Sequence, residues 1–194
     1  MPTAALRHGS GVRVSLDTRG WPRVTRIIRA VGLGPDFGNV PINVLAAAQL
    51  RGRQAHEAVA ALAEGRDESV SPRVAPYLEA FRKFLADSGC RVVAAEVEVA
   101  HPLWRYAGRL DLLAWLRGRR AILDVKTGTS EGADYQVAGY VDAWNAQHPT
   151  ERVEVGGVIE VREDKTYRYR EVDLPRALNV WRAALVVHGA ITGR

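Results

Sequence analysis

The sequence predicts an α/β fold, a mixed central β-sheet flanked by helices on both faces. Three observations carry that expectation. Strand-like apolar runs come as a group of three, over residues 91–101, 108–116 and 120–128, and a further pair follows over 153–161 and 165–173. Helical periodicity occupies the stretches between and around them, at Val44 to Ala63, Val74 to Ser88, Ala133 to Gln147 and 175–191. The order helix, three strands, helix, two strands is that of a mixed sheet covered on both sides.

Taken from the N-terminus, GVRVSL (Gly11 to Leu16) alternates like a short strand and DTRGWP reads as a turn. Thr25 is a suitable N-cap for a short helix, RIIRAVG, ending near Gly32. GLGPDFGNVPIN reads as a loop, and its glycines have the wrong spacing and context for a dinucleotide fingerprint. The Ala-rich run from Val44 to Ala63 is strongly helical. In the next helix Leu78, Phe81 and Leu85 recur at helical spacing. RVVAAEVEVAH (Arg91 to His101) is the first long strand. GRLDLLAWL and RAILDVKTG then form a hairpin across the basic RGRR turn. ADYQVAGYVDAWNAQ is a helix with Gln136 and Tyr140 one turn apart on one face. The late strands flank the charged REDK turn, and a C-terminal helix closes the chain. We expect one domain over 1–194, with a helical part at about 21–90, a core at about 91–147, and C-terminal strands and helix at 150–194.

Two of these strands carry an acid where an apolar residue belongs. Asp111 and Asp124 stand thirteen positions apart among Leu, Ile and Val. A carboxylate buried in such a strand costs several kcal/mol unless something compensates it. A hard divalent cation does so, because it takes oxygen ligands. Lys126 lies two residues beyond Asp124, hence on the same strand face. There an ammonium can orient water, lower its pKa or stabilise charge on a phosphate. The bland alternatives are an arginine salt bridge for each aspartate and a structural Lys126–Asp124 pair.

GRLD, LDVKTG and QVAGY, in that order, closely resemble the G-x-x-D, D-x-K-T-G and Q-x-x-x-Y signature of the PD-(D/E)xK nuclease superfamily, in its RecB-like and phage-type exonuclease branch. Upstream, RGRQAHEAV (Arg51 to Val59) resembles that branch's helical histidine motif, and the likeness covers about residues 21–145. It implies a restriction-endonuclease-like core and a catalytic set of Asp111, Asp124, Lys126, Gln136 and Tyr140. It also implies metal ligation by Asp111, Asp124, the Val125 carbonyl and His56. A histidine nitrogen beside carboxylates shifts preference from Mg²⁺ toward Mn²⁺. Glu96 alternates with Glu98 onto one strand face and is a candidate further ligand or Lys126 partner; a solvated face is the alternative. Arg105, Arg109, Arg117, Arg119 and Arg120 cluster around the hairpin and could track phosphates. Trp104, Trp115 and Tyr135 could stack bases or simply belong to the core.

Composition fits this expectation without requiring it. There are 27 basic and 22 acidic residues, a net +5, which suits an anionic partner. Nearly all the positive charge is arginine, apt for bidentate phosphate contacts but equally a mark of GC-rich coding. Cys90 is the only cysteine, which excludes an intrachain disulfide and a four-cysteine iron–sulfur cluster within these residues. KTG at 126–128 lacks the S-x-x-K and S-D-N that serine β-lactamases require. No Walker A sequence is present, so no nucleotide cofactor is expected and any helicase or recombination motor would be another chain. With no membrane span and no signal-peptide pattern, the expected setting is the cytoplasm of a bacterial or phage-infected cell.

The expectation is therefore a Mg²⁺- or Mn²⁺-dependent nuclease acting on single- or double-stranded DNA. An exonuclease of phage or recombination type leads, and a homo-oligomer is open. The rivals are a structure-selective or restriction-like endonuclease and a nuclease-fold protein that binds DNA or a partner without cutting.

Overall fold

The computed structural model describes residues 16–66 and 69–193. In chain order these form α1 (Val24–Ala30), α2 (Ile42–Ala63), α3 (Ala75–Ser88), β1 (Arg91–His101), β2 (Tyr106–Leu116), β3 (Arg119–Lys126), α4 (Ala133–Gln147), β4 (Val155–Val161), β5 (Tyr167–Glu171) and α5 (Leu174–Thr192). The sheet runs β1-β2-β3-β4-β5. Every neighbouring pair is antiparallel except β3 and β4, which are parallel because α4 carries the chain back between them. The mixed sheet expected from the element order is what forms.

Two apolar layers cover the sheet. On one face α1, α4 and α5 enclose Ile27, Tyr106, Leu110, Ile122, Val137 and Trp181. On the other, α2 and α3 enclose Ala55, Phe81, Phe84, Leu112, Leu123 and Ile159. β3 is buried on both faces, as expected of a strand between helical layers, and its single acid there, Asp124, is fully buried. The Tyr106 ring meets Trp181 edge-on at 5.0 Å, and Trp181 Nε1 donates to the Tyr106 hydroxyl, so the indole is buried without losing its hydrogen bond.

Local signals set most boundaries. Gly89 in a left-handed conformation ends α3, and Asp173 caps α5 by accepting from the Arg176 N–H. At the start of α4, Gly132 has φ +74°, and a Cβ there would stand 2.5 Å from the Leu33 carbonyl. The expectation for α1 needs correction. Its N-cap is Arg23, not Thr25, and Thr25 is already helical. Burial decides this: starting at Val24 places Val24, Ile27 and Ile28 in the core, while Arg23 bridges to Ala107 and pairs with Glu98. Of the expected strand Gly11 to Leu16, only Leu16 lies within the described residues, and it is in no strand.

Candidate metal centre and active site

The site is built where the sheet's regularity breaks. The β2–β3 ladder ends at Leu112 opposite Leu123, so Asp111 and Asp124 would form the next pair, beyond the last hydrogen-bonded one. On the other side of β2, Ala95 pairs with Leu112 and Val97 with Leu110, which sets Glu96 across from Asp111. Glu96, Asp111 and Asp124 therefore occupy one row across three neighbouring strands.

The row is also where two strands exchange faces. Val97 and Val99 pack toward α4, yet Ala95 packs toward α2 and α3, although simple alternation would keep all three together. Likewise Leu110 faces α4 and Leu112 faces α2 and α3. The reversal on β1 falls on Glu96, whose φ is +52°. A non-glycine residue in the left-handed region costs about 1–2 kcal/mol, and such strain is typically retained at functional sites.

Three further elements complete the cluster. From α2, His56 Nδ1 comes within 3.4 Å of Asp111 Oδ1. Asp111 Oδ2 accepts the Val125 N–H at 2.7 Å, which ties β2 to β3 where their ladder has ended. Lys126 Nζ lies 2.8 Å from Asp124 Oδ2 and donates to Gln136 Oε1 at 3.0 Å. Gln136, on α4, then donates through Nε2 to Asp124 Oδ1 at 2.9 Å and to the Tyr140 hydroxyl at 3.0 Å. One amide thus links the lysine, the buried carboxylate and the phenol. The i, i+4 spacing of Gln136 and Tyr140 is what lets it do so.

Burial and charge set the protonation of these groups. Burial raises the Asp124 carboxyl to about 6; Lys126 pulls it down and Asp111 pushes it up. For Asp111, burial alone would raise the pKa, but His56, Lys126 and the Val125 N–H together hold it below the usual carboxylate range. Burial opposes the charged form of His56, yet Asp111 and Asp124 outweigh it and bring that pKa to about 9. Lys126 is likewise raised despite burial, by Asp124 and Asp111. Glu96 is raised by burial and then by its neighbour Asp111.

A divalent cation fits this arrangement on two counts. His56, Glu96 and Asp111 each offer a ligand atom, and these atoms all lie within 4.8 Å of one another. Asp124 Oδ2 is buried without a directed hydrogen bond, although the Lys126 ammonium is close. The ion pair offsets the charge of this oxygen and leaves it an acceptor direction open. Asp124 stands outside the three-residue group in this arrangement, because Gln136 and Lys126 hold its two oxygens.

Sequence reasoning thus named residues that the fold does bring together: His56, Glu96, Asp111, Asp124, Lys126, Gln136 and Tyr140. It did not explain Gly108. A Cβ at Gly108 would lie 2.5 Å from Tyr140 Cε1, so the first residue of GRLD is the floor beneath the phenol. Gly108→Ala is expected to displace that ring and cost about 1–3 kcal/mol of stability. The same variant should lower activity by roughly tenfold or more through Gln136. Thermal melting together with a turnover assay would check both effects.

The hairpin arginines separate. Arg109 lines the cleft but is paired with Glu96 at 2.7 Å. Arg105 lies over the Trp21 ring at 5.8 Å. Arg117 sits in the β2–β3 turn with φ +50°. Arg119 and Arg120 pair with Glu171 and Glu151 at the other end of β3 from Lys126, about 20–23 Å away at ~3.3 Å per residue. Arg120 also covers Trp115 at 5.2 Å, and Tyr135 packs against the α4-side core. Only Trp104 among the three candidate aromatics is markedly exposed.

The open side of the cluster is a cleft of about 1260 Å³ that runs from Lys126 and Asp111 along α2 toward Val70 and Leu78.

The sequence profile of the PD-(D/E)XK nuclease superfamily matches residues 42–186. No curated protein matches the chain's sequence. Among solved structures, a candidate exonuclease from Eubacterium rectale is similar with a TM-score of 0.53 at 12% identity, over 96% of this chain and 88% of that one. An alkaline exonuclease from Laribacter hongkongensis gives a TM-score of 0.41 at 11% identity, over 90% of this chain and 92% of that one. At such identity the first likeness concerns the fold alone.

Proposed function

This chain belongs to the PD-(D/E)XK nuclease superfamily, and we propose that it is a divalent-metal-dependent DNA nuclease, acting as an exonuclease of phage or recombination type. The observation that carries the metal-dependent reading is the convergence of His56, Glu96 and Asp111 with the Asp124–Lys126 pair at the head of one cleft. His56, Glu96, Asp111 and, after a shift of its partners, Asp124 would hold the cation, with the Val125 carbonyl as a further oxygen donor. When bound, it supplies Lewis-acid stabilisation of phosphate charge and acidifies water.

The chain's own groups then divide the remaining work. Lys126 is kept protonated by Asp124 and Asp111, so it serves as a fixed positive charge toward the phosphate and the leaving oxygen rather than as a base. Gln136 accepts from the lysine and donates to Asp124, and so limits the lysine's freedom before substrate arrives. Tyr140 accepts from Gln136, which leaves its own hydroxyl proton for a phosphate oxygen or a neighbouring acid.

Metal binding on this reading competes with protons. His56, at about 9, must lose its proton to ligate, and Asp124, at about 6, must be ionised. Apparent Mn²⁺ affinity should therefore rise with pH from 6 to 9, with net proton release. Titration calorimetry in two buffers of different ionisation enthalpy would measure that release, and a pH-independent affinity would contradict it.

The functional test uses end-labelled linear DNA beside the same sequence as a covalently closed circle, in Mg²⁺, Mn²⁺ or EDTA. Metal-dependent loss of the linear form alone supports the exonuclease. Cutting of circles turns the reading to an endonuclease, and binding without any cutting to a non-cleaving module.

A further inference from the structure

The arginines that line the cleft differ in what holds them. Arg23 is gripped across its fork: Nη1 and Nη2 donate to the two oxygens of Glu98, at 2.7 and 3.2 Å. Arg66 donates through Nε and Nη2 to Glu64, at 3.1 and 2.7 Å. Arg53 is exposed on α2, and among the described residues no acid pairs with it, so nothing fixes where its charge lies. Arg109 is held in a different way. Its Nε lies 2.7 Å from Glu96 Oε2, while its Nη atoms make no hydrogen bond to any described residue. The side chain is 61% exposed on the cleft, so this guanidinium is anchored on one edge and accessible.

Its position gives the anchored arginine a use. Arg109 stands two residues before Asp111 on β2, about 6.6 Å along the strand at ~3.3 Å per residue. Glu96, which anchors it, also belongs to the group with His56 and Asp111 whose ligand atoms lie within 4.8 Å of one another. One carboxylate, carried by the residue with the left-handed φ of +52°, thus joins Arg109 to the candidate metal centre. An ion pair as exposed as this one adds little to stability, so the fold does not account for it. Arginine is suited to such a place, because it can meet a carboxylate at Nε and still offer two coplanar Nη groups to a phosphate.

We infer that Arg109 is a phosphate-binding residue: Glu96 anchors its Nε, and its Nη pair takes a phosphate of the nucleic-acid strand beside the metal centre. The inference rests on the nuclease reading above and adds to it which cation of the cleft grips the strand. Glu96 then serves both the arginine and the proposed metal ion. A fork held in place by a carboxylate loses less freedom when the phosphate arrives than a solvated side chain such as Arg53 would.

The test compares the wild type with Arg109→Met, Arg109→Lys and Glu96→Gln. Binding of a fluorescein-labelled DNA duplex would be followed by anisotropy in EDTA across a salt series, beside thermal melting of each free protein. Arg109→Met should weaken binding about tenfold and lower the slope of log affinity against log salt by about 0.9, the loss of one phosphate contact. Arg109→Lys should keep the slope but recover only part of the affinity, because one ammonium cannot hold Glu96 and fork a phosphate at once. Glu96→Gln should leave the slope where it is. All three variants should melt close to the wild type, since the pair is exposed. An unchanged slope in Arg109→Met overturns the inference. A steeper slope in Glu96→Gln also overturns it, because Glu96 would then withhold the arginine from the strand instead of presenting it. If either result comes from a wild type that binds and cuts DNA, the nuclease reading survives. A wild type that neither binds nor cuts any nucleic acid removes both.

Discussion

Asp111→Asn is expected to lower nuclease turnover about 10³-fold while leaving the fold intact. The substitution is isosteric, and an asparagine Oδ1 can still accept the Val125 N–H that now reaches Asp111 at 2.7 Å. What disappears is the negative charge that faces His56 and that the proposed cation would use. Loss of one preorganised electrostatic contact in a water-poor site is worth about 10²–10³ in rate, and a metal ligand belongs at the upper end. Mn²⁺ affinity should fall in parallel. Because Asp111 is also the chief reason that His56 is raised to about 9, the His56 pKa should drop toward its ordinary value. Histidine NMR titration would read that shift. Full turnover in a folded Asp111→Asn protein would sink the site assignment.

Lys126→Met should lose a similar factor in kcat with a different signature. Removing a cation beside Asp124 and Asp111 leaves the centre more negative, so Mn²⁺ should bind at least as tightly as before. Asp124 would then be fully buried without its ion-pair partner, and its pKa, already raised by burial, should climb further. The sign follows from linkage. A carboxyl whose folded pKa is raised stabilises the fold below its unfolded value and loses that contribution as pH rises through the folded one. The metal-free variant should therefore melt highest in mild acid and lose stability toward pH 8 relative to wild type. Melting curves across that range, beside single-turnover cleavage, separate a charge that acts on substrate from one that merely neutralises Asp124. Unchanged kcat with lowered stability would leave Lys126 a structural ion pair.

Much of the fold was legible because its signals are local. The β-branched, apolar run through Ile122 and Val125 could be little else than a buried strand, and α4 matches its expected limits, Ala133 to Gln147, to the residue. The start of α1 was misread because Thr25 is a good cap in isolation; only the burial of Val24 and Ile27 shows that the helix begins earlier. The hairpin arginines were grouped by proximity in sequence, but Arg109 and Arg120 lie at opposite ends of β2 and β3 and are engaged by Glu96 and Glu151.

The sequence by itself determined the mixed α/β class, the order of its elements and which carboxylates stand in apolar strands, because side-chain period and local propensity report those directly. It also placed Lys126 on Asp124's face and Gln136 one turn from Tyr140, since both spacings are fixed by strand and helix geometry. Only the tertiary structure decided that Glu96 turns through a left-handed φ to meet Asp111, that His56 reaches them from α2, and that Gly108 must lack a side chain beneath Tyr140. Those relations join residues far apart in the chain. They depend on strand register and on the approach of one layer to another, and no local pattern encodes either.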